Sequence, residues 1–272
     1  MKIPAVSFVG TELTTLGKMS VKQIWRYPVK SLQGEALDST EVKDVIPGDR
    51  GWGIIDTQTG HLLSAKRVPK LLEGQARIIG DHCVLTIDRN EFSSEEEQID
   101  EKLSDWLNRS VTLSKPNAGE TKNIEIEWDD GTEEVLQDPD VFEFSTAPGW
   151  FFDSSSSLNL MGSATLDFLE KRVGTGSGDV RRFRPNLLVE TEKPFEENDW
   201  VGISLRIGTC EAYVKKRTDR CIVITRKIGG FSASRSTLRF LSEHHDREAG
   251  ISMNPTQHGI IHIGDVVEVI ES

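Results

Sequence analysis

The chain predicts a β-rich α+β fold, with barrel-like sheets and a few peripheral helices. Three observations carry this. Short alternating or β-branched segments recur along the whole length, helical patterns are confined to three places, and strands do not alternate with helices as a βαβ fold requires. In chain order the strand signals are Val21 to Val29, Gly53 to Asp56, Ala76 to Ile79, Val84 to Ile87, Ile124 to Glu127 and Val141 to Phe144. They continue with Leu187 to Glu190, Ser204 to Ile207, Glu211 to Lys215 and Cys221 to Thr225. Gly259 to Ile270 reads as a hairpin turning at Gly264-Asp265. The first helix is expected to start at Ser93-Ser94, with Glu95 to Glu97 in its first turn, and to run through Leu107. Ser163 to Arg172, stopped by Gly174, and Thr237 to His245 make the other two. Thr146-Ala147-Pro148-Gly149 and Ser154 to Ser157 mark a boundary, so two domains are expected, 1–147 and 148–272.

Composition narrows the functional classes. With 28% charged and 36% hydrophobic residues the chain is an ordinary globular protein, and its formal net charge of -12 argues against nucleic acid or an anionic membrane surface as partner. The apolar runs are far shorter than the roughly 20 residues of a spanning helix. No apolar stretch near the start reads as an export signal, so a cytoplasmic location is expected. The three cysteines, Cys83, Cys210 and Cys221, are widely spaced and form no CxxC, which fits free thiols in a reducing compartment and gives no zinc signature.

Cys221 differs from the other two. Around it stand Lys215, Lys216, Arg217, Arg220, Arg226 and Lys227 with one acid, Asp219. Cations favour the thiolate, the form that attacks or binds metal, and a basic island in an acidic chain suits an anionic ligand. The competing reading is a core cysteine opening a buried strand, since Ile222, Val223 and Ile224 are β-branched. Cys83 and Cys210 read as core residues. His244 and His245 read as residues of an exposed helix, and His258 and His262 flank a strand rather than sharing a helix face.

Three further segments put cations or small polar side chains where the chain turns into or out of a strand: Tyr27-Pro28-Val29-Lys30-Ser31, Gly48-Asp49-Arg50-Gly51-Trp52, and Val180-Arg181-Arg182-Phe183-Arg184-Pro185-Asn186. Taken singly, Lys30 and Ser31 can be turn residues, Asp49 and Arg50 an ion pair, and Asn186 a loop cap. Together with Asp219-Arg220-Cys221, in this order, they resemble the MOSC family over about residues 18 to 270. The chain is similar in layout to the mitochondrial amidoxime-reducing component and its bacterial relatives.

The resemblance implies a molybdenum cofactor, a phosphorylated pterin dithiolene, with Cys221 as the protein thiolate on the metal. By motif position it implies Lys30, Ser31, Arg50, Arg184, Asn186 and Arg220 as cofactor contacts, and Ser155 in the serine run where a relative's loop touches the cofactor. It implies an oxidoreductase that reduces small N-hydroxylated compounds, releasing water at the expense of two electrons and two protons from a separate donor protein of ferredoxin or flavin type. No ferredoxin-like cysteine cluster and no membrane anchor of the mitochondrial kind is seen. The alternative is a cofactor carrier or sulfur-handling protein without turnover, and a third reading is a binding module for another phosphorylated ligand. Asp219 departs from the Ser or Pro often found there.

Overall fold

The computed structural model describes residues 19–127, 141–146, 149–151 and 156–270. Of the expected domain boundary, Ala147, Pro148 and residues 152–155 lie outside them, and Ser155 with these. The fold is α+β and β-rich. Strand β1 (Val21–Arg26) is followed by β2 (Glu35–Leu37) and β3 (Ser39–Val42), then β4 (Gly53–Asp56). A meander of β5 (Gln75–Ile79), β6 (His82–Ile87) and β7 (Asn90–Ser93) leads to α1 (Ile99–Leu107) and β8 (Val111–Ser114). The hairpin of β9 (Asn123–Glu127) and β10 (Val141–Ser145) precedes β11 (Leu158–Gly162) and α2 (Ser163–Val173). Then come α3 (Val180–Phe183), β12 (Leu187–Val189), β13 (Ser204–Ile207), β14 (Cys210–Asp219), α4 (Ser236–His244), β15 (Glu248–Gln257), β16 (Gly259–His262) and β17 (Val267–Ile270).

An eight-stranded sheet, ordered β17-β13-β14-β15-β11-β12-β1-β2, dominates the molecule. Its pairs are antiparallel except β11 with β12. It draws β1 and β2 from the N-terminal part of the chain, so residues far apart in sequence meet along its strand ends. One core gathers Ile24, Val42, Ile46, Leu160, Leu205, Val214 and Ile251. In a second, Leu166 and Leu169 of α2 and Leu238 and Leu241 of α4 pack with Met161, Leu188 and Ala249 of the sheet. A third, with Leu32, Leu71, Leu85, Leu103 and Trp106, belongs to the meander and α1.

Four local expectations need correction. Cys221 to Thr225 is no strand: Ile222–Thr225 form a 3-10 turn. There the Ile224 N–H donates to the Cys221 carbonyl at 3.2 Å and the Thr225 hydroxyl to the Ile222 carbonyl at 2.7 Å. The β-branched run is overridden by its tertiary partners. Gly259 to Ile270 is a corner rather than a hairpin, because β16 pairs with β3 and β17 with β13. The first helix starts at Ile99, not at Ser93-Ser94, because a separate turn closes there: Glu96 Oε1 accepts from the Ser93 N–H at 2.6 Å and Ser93 Oγ from the Glu95 N–H at 3.2 Å. The segment after Gly178 enters α3 before β12, capped by the Asp179 carboxylate, which accepts from the Arg181 N–H at 2.9 Å.

Candidate functional site

The motif segments meet around one cavity of about 630 Å³. Strand β1 ends at Arg26 because the Tyr27 N–H leaves the ladder and donates to Asp49 Oδ1 at 2.7 Å. Asp49 is fully buried, and its other oxygen accepts from Arg50 Nη1 and from Asn186 Nδ2, the latter at 3.1 Å. One carboxylate thus clamps three of the segments together. The guanidinium carbons of Arg50 and Arg184 lie over the Tyr27 ring, 4.6 and 4.3 Å from its centroid. Burial pushes the Tyr27 phenol well above its ordinary range, so it stays neutral, and it donates to the Pro185 carbonyl at 3.2 Å. Ser31, Arg50 and Arg184 all sit at positive φ (69°, 49° and 54°). That conformation is costly for non-glycine residues and gathers at sites where the fold over-determines it.

Lys30, Ser31, Arg50, Arg184, Asn186, Arg220 and Cys221 all line the cavity. Their settings differ. Lys30 is buried apart from its share of the cavity wall, and its backbone is bonded to Trp52. Ser31 Oγ accepts from the Ala65 N–H at 2.9 Å, which leaves its own O–H to donate. Asn186 is spent on the protein: Oδ1 accepts from the Asn159 N–H, and Nδ2 donates to the Trp25 carbonyl and to Asp49. Arg220 is 6% exposed and donates to the carbonyls of Ala249 and Phe183, both at 2.8 Å, and to Asn159 Oδ1 at 3.3 Å. Burial lowers its pKa to about 10. Asp219 is exposed on the cavity wall, and these Arg220 donors go elsewhere.

The basic island around Cys221 does not form the cationic lining. Of its six members only Lys216 and Arg220 line the cavity. Arg217 pairs with Glu248 and Lys227 with Glu73, both on the surface. Among the described residues the other cations on the wall come from elsewhere in the sequence: Lys30, Arg50, Lys66, Arg182, Arg184 and Arg247, against two acids, Asp219 and Asp246. Cys221 is half-buried, the one thiol on this wall among the described residues. Cys83 and Cys210 are buried, and burial pushes their thiols up to about 12 and about 11. His245 is only half-exposed, stacked on Phe195, while His244 is exposed.

Sequence reasoning missed Asp49 as a clamp, Arg182, and the Ser64-Ala65-Lys66 turn. Arg182 is 3% exposed and reaches five backbone carbonyls: Thr175 and Gly176 on one side, Ile224, Arg226 and Ser232 on the other. It pins the loop that holds Thr175 and Gly176 to the segment that follows Cys221. The quoted Arg181-Arg182 pair contained that residue, but no sequence feature separates a pin from a ligand contact. The Ser64 turn carried no signal at all.

The cavity gathers a half-buried thiol and a set of arginines and lysines, a donor set whose chemistry suits an anionic ligand. Comparison with known families is more specific. Residues 18–127 match the MOSC N-terminal beta barrel domain and residues 148–268 the MOSC domain, and the chain belongs to the MOSC family. It is 24% identical over 226 residues to a molybdenum cofactor sulfurase of Oryza sativa subsp. japonica. The match covers 69% of this chain but only 26% of that protein, so the chain spans about a quarter of its relative. Among solved structures, the YUAD protein of Bacillus subtilis aligns over 93% of this chain and 95% of its own, with 12% identity and a TM-score of 0.46. YiiM of Geobacillus stearothermophilus aligns over 43% and 55%, with 18% identity and a TM-score of 0.32. Among the described residues no helix is long and apolar enough to cross a membrane.

Proposed function

We propose that the cavity holds a molybdenum cofactor and that the protein is an oxidoreductase reducing N-hydroxylated compounds. The observation that carries this is the pairing of the half-buried Cys221 with cations from separate segments on one cavity of about 630 Å³. The donor set fits the group. Arginine forks, a lysine and a serine hydroxyl suit a terminal phosphate, and a thiolate suits a soft metal. Among the described residues no group of three or more His, Cys, Asp or Glu could hold a metal ion, so the metal would bring its remaining ligands in the dithiolene. When bound, the cofactor supplies the two-electron chemistry that the protein's own side chains lack.

In this reading Lys30, Ser31, Arg50 and Arg184 grip the cofactor, and Ser155 is a further contact outside the described residues. Asn186 acts as a positioning residue, since its amide donors go to the Trp25 carbonyl and Asp49, and Arg220, with three of its N–H donors on protein acceptors, acts chiefly in the same way. Residues 1–147 and 148–272 are two domains, with the cavity built across that division. Electrons come from a separate ferredoxin- or flavin-type protein, and the setting is cytoplasmic. A carrier or sulfur-handling role without turnover is the second reading, favoured by the likeness to a molybdenum cofactor sulfurase.

Protein produced in a cofactor-competent host should contain molybdenum and pterin and reduce a hydroxylamine or amidoxime with an artificial donor. Cys221→Ser should keep the fold, lose activity and change the metal spectrum. Retained activity with an unchanged spectrum would exclude the ligand role. Full loading with no reductase activity in the parent would favour the carrier.

A further inference from the structure

We propose that Ser64 is a ligand-binding residue of this cavity, its hydroxyl donating to an oxygen of the phosphorylated ligand; the inference rests on the reading of the cavity given above. Ser64 is 4% exposed and lines the cavity, and its Oγ has no hydrogen-bond partner among the described residues. Buried hydroxyls left in that state are rare in native structures, because stripping water from them without replacement costs free energy.

The neighbouring backbone is bonded at three points, while the Ser64 side chain is not. The Ser64 carbonyl accepts from the Arg67 and Val68 N–H groups at 3.1 and 2.8 Å. The next N–H, of Ala65, donates to Ser31 Oγ at 2.9 Å. The carbonyl of Lys66 accepts from Arg226 Nη2 at 2.8 Å. The turn is therefore held from two sides, by the segment after β1 and by the segment after Cys221. Its position does not depend on the Ser64 hydroxyl, and an alanine would complete the same turn. What the hydroxyl adds is a donor beside Ser31 and Lys30, on a wall where cations prevail. An O–H donor in that company suits an anionic oxygen, and a short charge-assisted bond to it would answer the missing partner.

The experiment is Ser64→Ala, read by pterin per folded chain in protein made under limiting cofactor supply and by the melting temperature of the cofactor-free protein. The expected result is a roughly tenfold loss of cofactor affinity, seen as lower pterin content. The cofactor-free melting temperature should be unchanged or higher, since an unanswered hydroxyl has been removed. Unchanged pterin content would overturn the inference and leave an ordered water as the partner. A lower cofactor-free melting temperature with normal loading of the folded fraction would also overturn it, as a structural hydroxyl. If the parent itself takes up no pterin, the reading of the cavity fails and this inference falls with it.

Discussion

Arg182 and Arg220 flank the Cys221 segment, while Arg50 and Arg184 rest on Tyr27; all four line the same cavity. The first pair is buried and answers backbone carbonyls, five for Arg182 and two, with an asparagine oxygen, for Arg220. The second pair lies over an aromatic ring. Arg50 meets Asp49 and the Arg184 carbonyl, and Arg184 meets the Leu32 carbonyl. A guanidinium has five N–H donors in a planar fork. Arg182 uses the fork to fasten loops. Arg50 and Arg184 stack on the Tyr27 ring at the cavity wall, and the function proposed above has them meet the ligand there. Proximity to a cavity therefore does not by itself make an arginine a ligand contact; where its donors go decides.

Arg182→Ala is the strongest way to break the comparison. It removes a bond from five carbonyls, of which Gly176 keeps the Asp179 N–H, and opens a space beside the 3-10 turn. A loss of about 3–5 kcal/mol of stability is expected, seen as a lower melting temperature in cofactor-free protein. Arg182→Lys should recover little, since an ammonium cannot reach five acceptors in the guanidinium geometry. A cofactor-free melting temperature within a degree of the parent would show that Arg182 does not pin the loops.

Arg184→Ala is the matching change on the other wall. Among its contacts it removes the bond to the Leu32 carbonyl and the stacking on Tyr27, and a smaller stability loss than that of Arg182→Ala is expected. Pterin content should fall far more, and activity per molybdenum much less than activity per chain. Arg184→Lys should restore loading only in part. Normal loading in folded Arg184→Ala protein, with a stability loss like that of Arg182→Ala, would put the two arginines in one class.

This difference was invisible in the sequence. Val180 to Asn186 displays three arginines, and their spacing does not tell which faces a ligand. The strand pattern was more legible, since Gly53 to Asp56 and Ser204 to Ile207 have the bounds expected from alternation. It failed at Cys221, where the bond from Arg182 to the Ile224 carbonyl and the bond from the Thr225 hydroxyl to the Ile222 carbonyl outweigh β-branched propensity. It failed again at Gly259 to Ile270, where a good turn joins strands whose partners lie elsewhere. The motif residues were legible because they stand at strand ends. The cationic lining was not, because charge neighbours in the chain point apart while Lys30, Arg50 and Lys66 are brought in by the sheet and its adjoining loops. Ser64 is the extreme case: one serine in a turn, informative only once its hydroxyl is seen to lack a partner.

The smallest expected effect tests whether charge helps to hold Arg220. Glu197 is fully buried; Oε1 accepts from the Gly162 N–H at 3.1 Å and Oε2 from the Thr165 hydroxyl at 2.9 Å. Burial raises its pKa above the ordinary carboxylate value, and those hydrogen bonds and the Arg220 charge only partly oppose it. A folded pKa above the unfolded one means that the folded state binds more protons between the two values. Stability relative to a non-titrating side chain is therefore greatest below the unfolded carboxylate pKa and declines as pH rises through the folded pKa. Glu197→Gln removes the titration while keeping the shape and one acceptor. The melting-temperature difference, parent minus variant, should be most favourable to the parent in acid and shrink towards neutral pH, levelling off once Glu197 is ionised. A difference that stays constant across that range would mean that Glu197 behaves alike in the folded and unfolded chains. A difference that grows with pH would reverse the sign, making the ionised carboxylate a net support for Arg220, whose fastening would then rest on charge as well as on the carbonyls it meets.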